Sequence, residues 1–230
     1  MRKSATEQGV DFPAELIPAG LSGVANVLFA VAVLVAVKRA PLSRLLENSF
    51  SHLFFAACVV LLLLWNTRAG VLPALNFHLL GMTVVTLMFG WPLALLAVLL
   101  VLTGNALYAG DGFSSLGINA LVTGGIPVLV TSLLLRFAQR RLPHNFFVYV
   151  YVNGFLAAGL SILLSSLAGA GVMLASDISS AGWLRYQYYP YLPMVFFAEA
   201  FLNGMLMTAL VALRPAWVCS FDDERYLHNK

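Results

Sequence analysis

Long runs of apolar residues restrict the fold of this chain more than any other feature. A membrane-spanning helix needs about 20 predominantly apolar residues, and seven runs approach or reach that length. They are residues 18–37, 49–66, 73–89, 92–109, 117–136, 146–171 and 193–213. Only 10% of the 230 residues are charged, against about 25% in a typical soluble domain. The sequence therefore predicts an all-α, polytopic membrane helix bundle.

The number of spans depends on the third and fourth runs, which are short. Gly90-Trp91-Pro92 separates them, and proline disfavours helix at the residue before it. We therefore predict about seven spans. Merging or dropping one run gives six, which is the alternative. The polar, tyrosine-rich stretch 172–192 is expected to be the longest loop, with its aromatic side chains at a membrane interface.

Basic residues are unevenly distributed between the two predicted sides of the membrane. With the N-terminus outside, most of them fall on inner loops and the inner tail, as the positive-inside rule requires. They are Lys38, Arg39, Arg44, Arg136, Arg140, Arg141, Arg214, Arg225 and Lys230. We therefore predict an extracytoplasmic segment (1–17), a transmembrane domain (18–216) and a cytoplasmic tail (217–230), in the lipid of a bacterial-type inner membrane.

Few polar groups interrupt the apolar runs. Glu199 is the one carboxylate within a predicted span, and Asn203 follows it on the same helix face. A charge at the bilayer centre costs at least ~2.5 kcal/mol, so Glu199 should face the bundle interior. His78, Asn105 and Asn119 fall near the outer ends of other predicted spans. Their similar depth predicts an outward-opening solute pocket, although each residue also fits an ordinary role in capping or helix packing.

The motifs give no support to an enzyme or to nucleic-acid binding. The sequence contains no P-loop, no His-Glu-x-x-His and no Gly-x-Ser-x-Gly motif. It also lacks paired carboxylates within its spans, which disfavours an intramembrane enzyme. No basic patch with interleaved aromatic residues suggests a nucleic-acid partner. We expect a non-enzymatic chain without a permanent cofactor, whose energy comes from a partner or an ion gradient.

Several short motifs stand out between residues 75 and 130. They are His78-Leu79 with Gly81, Gly90-Trp91-Pro92-Leu93-Ala94, Asn105-Ala106-Leu107, Asp111-Gly112 and Leu116-Gly117-Ile118-Asn119. Together they resemble the substrate-capture permeases of energy-coupling factor transporters for cobalt and nickel, the CbiM/NikM type. Glu199-Ala200 and Arg214-Pro215 resemble the closing helix of that family more moderately. The resemblance implies a helical membrane component that captures a Co²⁺- or Ni²⁺-type ion from outside, with a transmembrane coupling subunit and cytoplasmic ATPases as partners.

The resemblance also implies a metal site. In that family, a histidine at the position of His78 is a metal ligand, and a second histidine directly follows the initiating methionine. Here Arg2 follows Met1, and Asp11 stands where the second histidine belongs. A carboxylate also binds divalent ions, although it is a harder ligand than imidazole. The implied ligands are therefore His78 and Asp11. The positions expected to support this site, or to pack around it, are Asn105, Asn119, Glu199 and Asn203.

Two functional hypotheses follow from this departure at the N-terminus. The first is a metal-capture subunit, either with a changed ion or with a rebuilt site. The second is a non-transporting assembly or interaction protein that keeps the permease fold but has lost metal binding. Proximity of His78 to Asp11 on the outer side favours the first hypothesis. A His78 that faces lipid, or that is walled off from Glu199 and Asn119, favours the second.

Overall fold

Six helices form a bundle in this chain. The computed structural model describes residues 12, 14–67, 69–72, 75–109, 113–222 and 226. Among them, six helices are long and apolar enough to cross a membrane: α1 (Ala19–Arg39), α2 (Asn48–Asn66), α3 (Met82–Ala109), α4 (Phe113–Arg141), α5 (Phe146–Ala175) and α6 (Ala181–Leu213). Within the same residues, the strands are limited to β1 (Ala69–Leu72) and β2 (Leu75–Phe77). The prediction of an all-α membrane bundle is confirmed.

Helix α3 is interrupted at the position where the sequence predicts a break. Gly90 has φ 80° and ψ 160°, a region of positive φ that glycine enters without steric cost. Pro92 follows in the first turn of the resumed helix, where its missing N–H has no intrahelical partner to lose. We call residues 82–89 the short leg of α3 and residues 91–109 its long leg.

The chain reverses direction between the two legs. Leu80, which precedes the short leg, accepts a hydrogen bond through its carbonyl oxygen from the Trp65 indole at 2.9 Å. Asn105, near the end of the long leg, accepts one from Asn66 at 2.8 Å. A straight helix of 28 residues would be about 42 Å long. Both ends of α3 can therefore reach adjacent residues of α2 only because the legs run antiparallel about Gly90.

The predicted third span, residues 73–89, is wrong in its first half. β1 and β2 form an antiparallel hairpin in which Ala69 pairs with Phe77, and the helix begins only at Met82. Eight helical residues extend about 12 Å, less than half of a hydrocarbon core of about 30 Å. The six helices of spanning length match the alternative count, and a seventh crossing that includes the short leg stays a prediction.

The predicted loop 172–192 is also wrong, because most of it is helical. Helix α5 continues to Ala175 and α6 begins at Ala181. The Ser180 side chain accepts the backbone N–H of Trp183, which is the usual capping role of serine before a helix. A local polar cap thus starts a helix among tyrosines that the sequence assigns to a loop.

The described termini lie at opposite ends of the bundle. Phe12 hydrogen-bonds to Asn119 at the start of α4, and we call this the N-terminal end. Ser220 hydrogen-bonds to Tyr149 at the start of α5, and we call this the tail end. Helices α4 and α5 are consecutive and antiparallel, so their starts mark opposite ends. Which end faces out of the cell stays a prediction.

The two legs of α3 occupy the centre of the bundle. Leu87 in the short leg and Leu93 and Val98 in the long leg are completely buried. Gly124 of α4 packs so closely on the long leg that an added Cβ would lie 2.4 Å from Val98 Cγ2. The other helices surround α3 and carry most of the exposed apolar side chains.

Candidate functional site

Glu199 of α6 anchors the segment that precedes the short leg. Its Oε2 accepts the Leu80 N–H at 2.8 Å, and its Oε1 accepts the Gly81 N–H at 2.8 Å. The side chain is 1% exposed, so it faces the bundle interior as predicted. Hydrogen bonds from backbone N–H groups to an ionised carboxylate are roughly twice as strong as neutral ones. Because these donors occupy both oxygens, we interpret Glu199 as an anchor of the backbone.

Asn203 completes this anchor one turn further along α6. Its Nδ2 donates to Glu199 Oε1 at 2.8 Å, and its Oδ1 accepts the Val84 N–H at 3.2 Å. The first N–H groups of a helix lack intrahelical acceptors and are usually satisfied by the side chain of the N-cap residue. Gly81, with φ 65°, precedes the short leg and has no side chain. Helix α6 therefore supplies the cap that Gly81 cannot.

The sequence predicts His78 near the start of the third span. In the structure it lies in the non-helical residues 78–81, four positions before the helix begins. Its side chain is half-buried, and its Nδ1 lies 3.3 Å from the Leu79 carbonyl oxygen. Its ring centroid lies 6.1 Å from that of Trp65. The loop of His78 is thus held on one side by α2, through Trp65, and on the other by α6, through Glu199.

Asn119 holds the N-terminal segment against α4. Its Oδ1 accepts the Phe12 N–H at 2.9 Å, and its Nδ2 donates to the Phe12 carbonyl at 3.1 Å. The Phe12 ring is buried in a small apolar cluster with Ile17, Ile118 and Val122. Asp11, the second predicted ligand, lies outside the described residues. Its neighbour Phe12 is nevertheless fixed at the N-terminal end of the bundle.

Asn105 has a third, separate set of partners. It is 2% exposed, and its Oδ1 accepts a hydrogen bond from Asn66 at the end of α2. The predicted polar residues therefore form three separate hydrogen-bonded groups. These groups are Glu199 with Asn203 and the His78 loop, Asn119 with Phe12, and Asn105 with Asn66. The Asp111-Gly112 turn, which follows the long leg, lies outside the described residues.

Some residues that hold these segments in place carry no clear signal in the sequence. Trp65 reads as part of an apolar run, yet its indole holds the carbonyl oxygen of Leu80. Asn26 lies within the first run, where its Oδ1 accepts the Gly117 N–H at 2.7 Å and its Nδ2 donates to Ser114. A polar residue within an apolar span is the available signal for Asn26. Trp65 at the end of a span would have been assigned to an interfacial belt.

Fold and site together define a multi-pass plasma-membrane protein with several hydrogen-bonded groups of polar side chains buried among its helices. Residues 11–217 match the family model CbiM, described as the cobalt uptake substrate-specific transmembrane region. This chain belongs to that family, and it is a substrate-specific membrane component of cobalt-type uptake. Searches of curated proteins and of solved structures found no match.

Proposed function

We propose that this chain captures a divalent ion of the Co²⁺ or Ni²⁺ type from the outer side of the membrane, with His78 and Asp11 as ligands. One observation supports the proposal: Asn119 holds both peptide groups of Phe12, the residue that follows Asp11, against the first part of α4. Adjacent Cα atoms are about 3.8 Å apart. Asp11 directly precedes this anchored residue in the sequence, which is why we propose it as the second ligand.

The donor set suits such an ion. Imidazole nitrogen binds first-row transition metals such as nickel well, and a carboxylate adds a harder oxygen ligand. The ligand histidine would be presented by a loop whose backbone is fixed by Trp65 and Glu199. Partners that fix a ligand's orientation raise metal affinity by roughly 10- to 100-fold. The carboxylate of Glu199 would act through this backbone and not through the ion.

Energy for inward release would come from partners. We propose a transmembrane coupling subunit and cytoplasmic ATPases, because the sequence contains no nucleotide-binding P-loop and the matched family is the substrate-specific part of an uptake system. The tail end, opposite the proposed metal site, is where those partners would act.

Metal binding by purified protein tests this proposal. Co²⁺ and Ni²⁺ titrations would compare the wild type with His78→Ala and Asp11→Asn. His52→Ala is the matched control, because His52 is an exposed histidine of α2. We expect one ion per chain in the wild type and in His52→Ala. Affinity should fall by more than about tenfold in His78→Ala, since loss of a ligand costs at least as much as loss of its supporting groups. Equal binding by wild type and His78→Ala would overturn the assignment.

One observation favours the alternative of a non-transporting assembly protein. Within the part of the chain that the structure describes, no group of three His, Cys, Asp or Glu side chains is placed to hold a metal ion. Under this alternative, the folded wild type and His78→Ala would both bind negligible Co²⁺ and Ni²⁺. The same titration therefore separates the two functions.

A further inference from the structure

The short leg of α3 is capped at both ends by the last part of the chain. At the N-terminus of the short leg, Glu199 and Asn203 of α6 accept the N–H groups of Leu80, Gly81 and Val84. A helix leaves its first four N–H groups and its last four carbonyls without intrahelical partners. For the short leg, the partners at the start come from a helix more than 100 positions away in the sequence.

At the tail end, the residues that follow α6 cap the other terminus of the short leg. The Cys219 N–H donates to the Met88 carbonyl at 3.1 Å, and the Ser220 N–H donates to the Leu87 carbonyl at 3.2 Å. The Ser220 hydroxyl also donates to the Leu87 carbonyl, at 2.8 Å. Buried carbonyls that lose such donors cost about 1–3 kcal/mol each. The tail therefore stabilises the end of the leg.

Tyr149 of α5 holds the tail in this position. Its hydroxyl lies 2.6 Å from the Ser220 hydroxyl, and its ring packs edge-on against Phe221 with centroids 4.9 Å apart. The tail is thus an ordered part of the bundle that connects α5 to the short leg. We call Cys219, Ser220 and Phe221 the tail latch.

The short leg is joined to the rest of α3 through non-helical residues. Residues 78–81 precede it without helical structure, and Gly90 breaks the helix directly after it. Hinges in proteins are a few loop or element-terminal residues that absorb changes in φ and ψ, so residues 78–81 and Gly90 would allow the short leg to shift as a unit when one of its caps is lost. His78 lies two residues before Leu80, the first residue held by Glu199. A shift of the leg at the tail end is therefore transmitted to the loop of His78.

We propose that the tail latch is a positioning device, and that it sets the affinity of His78 for its ion from the opposite end of the short leg. A partner that draws the latch off the short leg lowers that affinity, and a bound ion in turn tightens the latch, because coupling between two sites is reciprocal. The effect on affinity rests on the proposed function. The effect on the position of residue 78 does not.

The first experiment therefore omits metal. A cysteine is introduced by His78→Cys, and its alkylation rate is followed by peptide-resolved mass spectrometry with Ser220 intact and in Ser220→Ala. Ser51→Ala is the matched control, because Ser51 also lies at the tail end but bonds to Asn48 within its own region. We expect Ser220→Ala to change the alkylation rate several-fold and Ser51→Ala to leave it unchanged. Equal rates in all three proteins would overturn the latch.

The second experiment adds Co²⁺ to protein with His78 present. Typical coupling between sites changes affinity by roughly 5- to 150-fold, so Ser220→Ala should weaken Co²⁺ binding by at least about fivefold. Ser220→Thr keeps the hydroxyl and should restore binding, which excludes general misfolding. Co²⁺ should also slow alkylation of the exposed native Cys219, while the buried Cys58 serves as an internal reference.

The two experiments separate the two proposals. Absence of Co²⁺ binding in the wild type overturns the proposed function, while a changed rate at position 78 in Ser220→Ala still supports the latch. Normal Co²⁺ binding with identical affinity and identical rates in Ser220→Ala and Ser51→Ala overturns the latch alone. Tyr149→Phe provides a second route, since it removes the hydroxyl beside Ser220 and should reproduce the Ser220→Ala effects in weaker form.

Discussion

Helices α1 and α3 are similarly apolar, but they occupy opposite positions in the bundle. Across the most apolar 18 residues of each helix, 22% of α1 is buried, against 72% of α3. Helix α1 leaves Val24, Val27 and Leu28 exposed, whereas Leu87 and Leu93 of α3 are completely enclosed. Apolarity alone therefore distinguishes membrane from water, but it does not distinguish the centre of a membrane bundle from its lipid-facing surface.

The polar anchors of the two helices show the same contrast. The short leg of α3 is fixed by a fully buried carboxylate and amide from α6. Helix α1 is fixed by the half-exposed Asn26, which bonds to the backbone of Gly117 and Ser114. Pairs of matched substitutions, one in each helix or its neighbourhood, test this contrast.

The largest effect is expected for Glu199→Leu. It leaves the N–H groups of Leu80 and Gly81 without an acceptor, while the Asn203 amide keeps the backbone carbonyl of residue 199. At about 1–3 kcal/mol for each of the two buried donors, the free energy of unfolding should fall by about 2–6 kcal/mol. Asn26→Leu, at the half-exposed anchor of α1, should cost only about 1 kcal/mol. Thermal unfolding in detergent measures both, and equal losses would contradict the contrast between the anchors.

The next largest difference in stability is expected between Leu87→Ala and Leu28→Ala. Leu87 is 0% exposed, whereas Leu28 is 56% exposed. A buried Leu→Ala substitution creates a cavity and typically costs at least about 2 kcal/mol. The same substitution on the outer face of α1 should change stability by less than about 0.5 kcal/mol. Denaturant titration of the two proteins side by side checks the difference, and a larger loss for Leu28→Ala would place the centre of the bundle elsewhere.

A smaller effect is expected where α4 touches α1. An added Cβ at Gly117 would lie 2.5 Å from Asn26 Cα, while Gly23 has nothing within 4 Å. Gly117→Ala must push the two backbones apart and should cost about 1–2 kcal/mol, as other overpacked sites do. Gly23→Ala meets no atom and should be neutral or slightly stabilising, because alanine favours helix. A melting temperature of Gly117→Ala equal to that of Gly23→Ala would show that α1 is free to move.

The smallest effect is expected to be stabilising. Asn153 of α5 is 1% exposed, and neither its Oδ1 nor its Nδ2 has a hydrogen-bond partner among the described residues. An unpaired buried amide costs about 1–3 kcal/mol by protein mutational data. Asn153→Leu has similar size and removes this cost, so the melting temperature should rise by an amount equivalent to about 1 kcal/mol. A fall in melting temperature would show that the amide is satisfied in the membrane.

The sequence predicted the bundle, the break at Gly90 and the inward-facing Glu199, because each depends on a local signal. An apolar run, a Gly-Trp-Pro triplet and a lone carboxylate are all visible without the fold. The start of the third span was misplaced because residues 69–77 are apolar enough for a helix but pair as a hairpin. The apolarity of a segment does not show which groups its backbone hydrogen-bonds to.

The arrangement of the candidate site was less predictable than its depth. Similar depth along the helices predicted that His78, Asn119 and Glu199 converge at one end, and that convergence stays a prediction. Their partners, however, are main-chain groups of Leu80, Gly81 and Phe12, which carry no side-chain signal. The tail contacts at Leu87 and Met88 were missed for the same reason.

Asn119 holds the N-terminal segment by the peptide groups of Phe12. Recognition of this kind is indifferent to what the preceding position carries. The amino acid at position 11 can thus be exchanged without loosening the anchor. Under the proposed function, position 11 supplies a ligand for the ion, so a substitution there would change the choice of ion while the anchor on Phe12 stays the same.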